Sequence, residues 1–109
     1  MSRTLIILSS GEKGKVLTGI MYAANAARNG WLEEVRVIFF GPAEGLLIAD
    51  EEVAEAAAEL PGLISPAFCK AIADREGISE QIEERGYAVE YVGRQISELI
   101  GQGYVPLVF

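Results

Sequence analysis

The chain contains no histidine and a single cysteine, Cys69, among its 109 residues. The missing histidine excludes Ser-His-Asp and Cys-His catalysis and most zinc sites, because all of these depend on an imidazole. One cysteine cannot form a disulfide within the chain or a Cys-x-x-Cys redox pair. Any covalent chemistry at Cys69 must therefore proceed without an imidazole as its base.

Basic residues are also scarce and long hydrophobic runs are absent. Lys and Arg number 9 against 16 Asp and Glu, a net charge of −7, and the basic residues are scattered along the chain. Such a chain repels a phosphate backbone. No apolar run approaches the roughly 18 residues of a membrane span, and the N-terminus lacks the layout of a signal peptide. We therefore expect a cytosolic protein with neither a nucleic-acid nor a membrane partner.

Strand-like and helix-like segments alternate along what we predict to be a single domain, residues 1–109. Strands are predicted at 4–9, 35–40, 63–68, 87–92 and 104–109, and helices at 15–29, 44–48, 50–60, 69–76, 79–85 and around 96–100. This alternation predicts a three-layer α/β/α fold with a five-stranded, mainly parallel sheet of flavodoxin-like architecture. Pro66 and Pro106 fall in the third and fifth strands, which predicts an edge position or a bulge for both.

The loop after the first strand is the first candidate site, because ligands of such folds collect at the carboxyl ends of the strands. It contains Ser9, Ser10, Gly11, Lys13 and Gly14. Two residues separate its glycines where a Walker A motif has four, so it is no nucleotide-triphosphate loop. Its backbone N–H groups could still hold a small anion, and the alternative is a plain connection between strand and helix.

Two other features are interpreted as structural. The acidic run from Asp50 to Glu59 places its carboxylates along one helix face without an oxygen-rich loop, which is typical of a solvated surface and not of a metal site. The loop after the first strand also lacks the hydroxyl-rich pattern of a flavin phosphate site. The sequence therefore predicts neither a metal nor a cofactor.

Cys69 is the second candidate site, at the expected junction of the third strand with the following helix. The dipole and the free N–H groups of the turn Ala71, Ile72 and Ala73 would stabilise a thiolate there. Sulfur exchange needs only a thiolate and a good leaving thiol, so it remains possible without histidine. The alternative is an inert, buried cysteine that acts as a small apolar residue.

Several segments resemble the DsrE/DsrF-like family of small sulfur-handling proteins, which includes the TusD-type sulfur relay subunits. The cysteine followed by glycine eight positions later is the most diagnostic part. The matching segments are Leu5-Ile6-Ile7-Leu8, residues 34–44 (EVRVIFFGPAE), residues 69–78 (CKAIADREGI), Tyr91-Val92-Gly93 and residues 103–109 (GYVPLVF).

The resemblance implies a persulfide on Cys69 and a homo-oligomer, a trimer or a hexamer. Many relatives have a second cysteine three positions on, where this chain has Ile72, so an internal resolving thiol is not expected. We therefore expect a sulfur carrier or sulfurtransferase with protein donors and acceptors of sulfur. The alternative is a non-catalytic oligomeric module that binds a small anion or a protein partner, with Cys69 structural.

Overall fold

A computed structural model of the chain describes residues 2–60, 62 and 64–109. Five parallel strands form one sheet in the order β4-β3-β2-β1-β5. The described elements are β1 (Arg3–Leu8), α1 (Lys13–Asn29), β2 (Glu34–Phe39), α2 (Ala43–Ala49), α3 (Glu51–Ala57), β3 (Ala67–Cys69), α4 (Lys70–Glu76), α5 (Ser79–Glu84), β4 (Ala88–Glu90), α6 (Val92–Gly101) and β5 (Val105–Val108). This architecture confirms the predicted three-layer α/β/α fold.

The strand order distributes the helices unequally between the two faces of the sheet. The chain steps in one direction from β1 to β4, and right-handed crossovers then place α1 to α5 on the same face. The return from β4 to β5 runs the other way and places α6 on the opposite face. Two packed clusters agree with this arrangement: Ile6, Leu8 and Phe39 pack with the helices of the first face, and Leu5 and Ile7 pack with α6. In the described part of the chain, α6 is the one helix over its face.

The helix ends follow the sequence signals closely. Asp50 begins α3 by accepting a hydrogen bond from the Val53 N–H at 3.0 Å, as expected of an N-cap. Gly30 and Gly77 end α1 and α4 with φ of 66° and 72°, the left-handed conformation that glycine adopts without steric cost. The predicted stop at Pro61-Gly62 and the predicted strand start at Leu63 fall partly on Pro61 and Leu63, which lie outside the described residues.

The predictions for the two strand prolines, Pro66 and Pro106, had different outcomes. β5 is an edge strand, as predicted. Just after it, the Phe109 N–H donates a hydrogen bond to the Ile7 carbonyl of β1 at 2.9 Å. Backbone groups alternate in direction along a strand, so the nitrogen of Pro106 faces away from β1, where no ladder donor is needed. The prediction for Pro66 was wrong: β3 lies between β2 and β4 in regular register and begins after the proline, which therefore removes no ladder bond.

No helix in the described residues is long and apolar enough to cross a membrane.

Candidate functional site

Cys69 is the last residue of β3 and the N-cap of α4, so strand and helix meet without a loop. Its backbone is extended (φ −67°, ψ 117°), and it pairs across the sheet with Glu90 of β4. The predicted position at the carboxyl end of the third strand is therefore confirmed. Among the described residues, no side-chain hydrogen bond caps the start of α4 at Cys69.

The cysteine packs on the α6 face of the sheet and is only 4% exposed. Its cluster contains Val92, the first residue of α6, and Ile72, in the first turn of α4, packs against the same cluster. The remaining members are mostly aliphatic: Leu5, Ile7, Ile38, Ala67, Leu99 and Tyr104, with Ile96 at the margin. The first turns of two helices thus border a cysteine that lies in largely apolar surroundings.

Lys70 is the cation next to the cysteine in the chain, and it is already paired. Its ammonium lies 3.1 Å from a carboxylate oxygen of Asp74, one helical turn on. Hydrogen bonding to Asp74 raises the pKa of Lys70. The pKa of Asp74 is lowered by two hydrogen bonds that it accepts, chiefly the one from Ser79 and then the one from Lys70. Lys70 therefore takes part in an ion pair on the surface of α4, whereas the N-termini of α4 and α6 place positive potential next to the cysteine.

Residues 9–12 join β1 to α1, and their polar groups bond mainly to the chain itself. The prediction of a loop up to Gly14 was wrong, because α1 begins two residues earlier than expected and contains Lys13 and Gly14 in its first turn. The Ser9 and Ser10 N–H groups donate to the Phe109 carbonyl at 2.8 and 3.1 Å, and the Ser10 hydroxyl accepts from the Glu12 N–H. Lys13 turns towards α3, where its ammonium lies 3.1 Å from Asp50.

A shallow depression of about 540 Å³ opens beside this loop, between the carboxyl ends of β1 and β5. These strands form the switch point of the sheet, because the helices beside them lie on opposite faces. Five residues line the depression, from the start of the Ser9 loop, from α1 and from the end of β5: Ser9, Ser10, Lys15, Val108 and Phe109.

The predicted site residues therefore form two groups along one rim of the sheet. Cys69 ends β3 and Ala71, Ile72 and Ala73 follow it in α4, whereas the residues from Ser9 to Gly14 follow β1. The intervening β2 separates the two strands, which places them roughly 10 Å apart at the usual spacing of parallel strands. Of the turn after the cysteine, Ala71 is exposed, Ile72 half-buried and Ala73 buried.

Three residues of the same rim did not emerge as site residues from the sequence. Phe40 and Tyr91 follow the last residues of β2 and β4, the strands on either side of β3, and they are 37% and 68% exposed. Glu44 lies in the first turn of α2 and is completely buried. The predicted strands 35–40 and 87–92 had included the two aromatics, whereas β2 and β4 end at Phe39 and Glu90, one residue before each ring. No sequence signal distinguished Glu44 from an exposed acidic residue in a first helical turn.

Comparison with known proteins supports the fold alone. No family model and no curated protein matches the chain. A solved structure of a conserved protein of unknown function from Bacteroides thetaiotaomicron is similar over 97% of this chain and 94% of its own, with a TM-score of 0.85 at 24% identity. The same architecture thus occurs in that protein from end to end.

Proposed function

We propose that this chain is a sulfur carrier of the DsrE/DsrF-like type, which accepts a sulfane sulfur on Cys69 and passes it to an acceptor thiol. The observation that supports the proposal most is the place of Cys69, at the carboxyl end of an internal strand and against the first turns of α4 and α6. Helix N-termini stabilise negative charge, which is carried by a thiolate and by a persulfide anion.

The transfer balances without a cofactor or an added base. The Cys69 thiolate attacks the outer sulfur of a donor persulfide, the S–S bond of the donor breaks, and the donor leaves as a thiolate. Cys69 then carries the outer sulfur. An acceptor thiolate attacks that sulfur, the new S–S bond breaks, and the Cys69 thiolate returns. No electrons are gained or lost overall, which suits a chain without histidine.

The route to the sulfur is proposed to lie between the exposed rings of Phe40 and Tyr91. Phe40 and Tyr91 follow the strands on either side of β3, and Cys69 itself is almost covered. An acceptor thiol on a protruding segment can enter such a gap, whereas a flat protein surface cannot reach the sulfur. The apolar cluster around Cys69 also limits access of water and of bulk reductants to a bound persulfide.

We propose cytosolic homo-oligomers, trimers or hexamers, as the working form. Two observations support association: α6 covers its face of the sheet alone among the described helices, and apolar side chains remain exposed at Ile100, Val105 and Val108. Light scattering after size-exclusion chromatography should give a mass three or six times that of the chain, and a monomer at micromolar concentration would contradict this part of the proposal.

The test of sulfur transfer is an intact-mass measurement after reaction with inorganic polysulfide. The wild-type protein should gain the mass of one sulfur atom, and a later addition of dithiothreitol should remove it. The Cys69→Ala variant is the matched control and should gain nothing. An unmodified wild-type mass, under conditions that load a known sulfurtransferase, would overturn the proposal.

A non-catalytic module with a structural Cys69 is the second candidate, and the 4% exposure of the cysteine favours it. Thiol labelling with an aromatic disulfide separates the two functions. A carrier should react in the native state. Its rate of labelling should fall when Phe40 is replaced by a bulkier side chain that closes the proposed route. A structural cysteine should react only after denaturation.

A further inference from the structure

Glu44 carries a carboxyl group that the proposed sulfur chemistry does not use. The residue lies in the first turn of α2 and is 0% exposed. One oxygen, Oε2, accepts a hydrogen bond from the Gly41 N–H at 3.4 Å, and the other, Oε1, has no partner among the described residues. Burying an ionised carboxylate with one oxygen unsatisfied is unfavourable, so the buried side chain favours the neutral form.

The electrostatic surroundings agree with a neutral carboxyl. Burial raises the pKa of Glu44 to about 7, with the Glu76 carboxylate adding to the rise. The Gly41 N–H and the Arg75 guanidinium act in the opposite direction. Ionisation of Glu44 therefore falls near neutral pH.

Few other charges face this carboxyl from the elements packed on α2. Arg75 and Glu76 come from α4, and both are exposed. Beyond α5, Arg85 donates to the Leu47 carbonyl near the end of α2, away from Glu44. On the side of α1 and α3, Lys13 is occupied by Asp50 and Glu52.

The carboxyl holds a tight turn of the rim, residues 41–44, which we call the Glu44 turn. Gly41 has φ of 135°, and a Cβ there would lie 2.7 Å from the carbonyl oxygen of Ser9, so the turn packs directly on the end of β1. The Ala43 N–H donates to the same carbonyl at 3.2 Å. The Glu44 carboxyl thus binds the backbone of the Glu44 turn at Gly41, and the same turn packs against Ser9.

We propose that Glu44 makes this turn proton-sensitive: the neutral side chain stays buried and holds the Glu44 turn on Ser9, and the ionised side chain moves to solvent and opens the turn. When the carboxyl leaves, the Gly41 N–H loses its acceptor, and the Ala43 bond to Ser9 breaks as α2 shifts. The switch does not depend on the proposed sulfur chemistry, because Glu44 belongs to α2, which packs on the first face of the sheet through Ala43 and Leu47, and Cys69 packs on the other face.

Proton linkage gives the sign and the size of the effect. The closed turn binds a proton with pKa about 7, and the opened carboxyl returns to its ordinary value of 4.5. The closed form is thus most favoured below the lower value, and it loses this advantage as the pH rises through the higher one. The opening equilibrium constant should rise about tenfold from pH 6 to pH 8, by the same linkage.

Amide hydrogen exchange measured by NMR tests the proposal residue by residue. After correction for the intrinsic exchange rate, opening at Gly41 and Ala43 should increase about tenfold from pH 6 to pH 8 in the wild-type protein. The isosteric, neutral Glu44→Gln variant should show no such increase. Glu76→Gln is the matched control: it removes a neighbouring carboxylate, so the increase should persist.

A second measurement keeps the proposal testable if Glu44→Gln does not fold. The side-chain carboxyl carbon of Glu44 in the wild-type protein should titrate with a midpoint near 7, together with the Gly41 amide. A midpoint near the ordinary glutamate value would overturn the proposal. An equal rise in opening in wild type and Glu44→Gln would also overturn it, as would no rise in the wild type.

Discussion

Gly19 on α1 offers a sharp test of how tightly the helix packs on the sheet. It is a buried glycine in the middle of a helix, where alanine is ordinarily favoured by about 1 kcal/mol. A Cβ at this position would lie 2.5 Å from Cδ2 of Leu8 and 2.8 Å from Cγ of Phe109. Real Cβ atoms do not approach other atoms so closely, so Gly19→Ala must displace the helix or both side chains.

The net effect follows from two opposing quantities. Overpacking of a core costs about 1 to 3 kcal/mol, and Leu8 is fully buried in β1, so it has little room to move. The gain in helix propensity returns about 1 kcal/mol. Because a Cβ at Gly19 would lie below 3 Å from both Leu8 and Phe109, the upper part of that range applies. A cost of about 2 to 3 kcal/mol less a gain of about 1 kcal/mol means that Gly19→Ala should lower the free energy of unfolding by about 1 to 2 kcal/mol. At about 4 to 8 °C per kcal/mol, the melting temperature should fall by about 4 to 16 °C.

Gly14 provides the matched control on the same helix. A Cβ there would meet only the Glu12 carboxylate, at 3.9 Å, and the residue is exposed. Gly14→Ala should leave stability unchanged or raise it by up to about 1 kcal/mol. Urea unfolding followed by circular dichroism gives both free energies. If Gly19→Ala proved as stable as Gly14→Ala, the packing of α1 on β1 described above would be wrong.

Three further substitutions test other parts of the structure. Phe68→Ala should cost about 3 to 5 kcal/mol in urea unfolding, because its ring stacks on Phe39 with centroids 4.2 Å apart in the core; a cost below about 1 kcal/mol would contradict full burial. Cys69→Ser should destabilise the fold by about 1 to 3 kcal/mol more than Cys69→Ala, because its hydroxyl enters an apolar cluster; equal melting temperatures would indicate a solvated thiol. Gly41→Ala should lower the free energy of unfolding far more than Gly30→Asn. Both glycines have positive φ, but a Cβ at Gly41 would clash with Ser9 at 2.7 Å, whereas a Cβ at Gly30 meets nothing within 4 Å. Similar unfolding midpoints of the two variants would contradict this difference.

The architecture followed from the sequence because its local signals agree with one another. Continuous apolar runs indicated the buried strands β1 and β2, and glycines marked the ends of α1 and α4, as the structure confirms. The place of Cys69 at the end of the third strand follows from the same alternation. A helix begins directly after it, so the position could be predicted to within one residue.

Other properties depend on the strand order, which local patterns do not encode. Met21 and Ile100 fit the apolar stripes of their helices, yet they are 59% and 48% exposed, because each lies at the margin of the surface that the sheet offers. The interior position of β3 could not be read from Pro66, since a proline one residue before a strand resembles one inside it. The complete burial of Glu44 was equally invisible, because an acidic residue in a first helical turn usually favours the dipole from an exposed position.

The unequal covering of the sheet connects these observations. Side chains alternate along each strand, so Phe68 faces the helix-rich layer and stacks on Phe39, while its neighbour Cys69 faces α6. Several helices cover the first face of the sheet, and Glu44, on one of them, is fully buried there. Among the described helices, the second layer has only the ten-residue α6, which joins the end of β4 to the start of β5. The first residue of α6, Val92, packs in the same cluster as Cys69, so the start of this single helix covers the carboxyl end of β3 and leaves the cysteine 4% exposed.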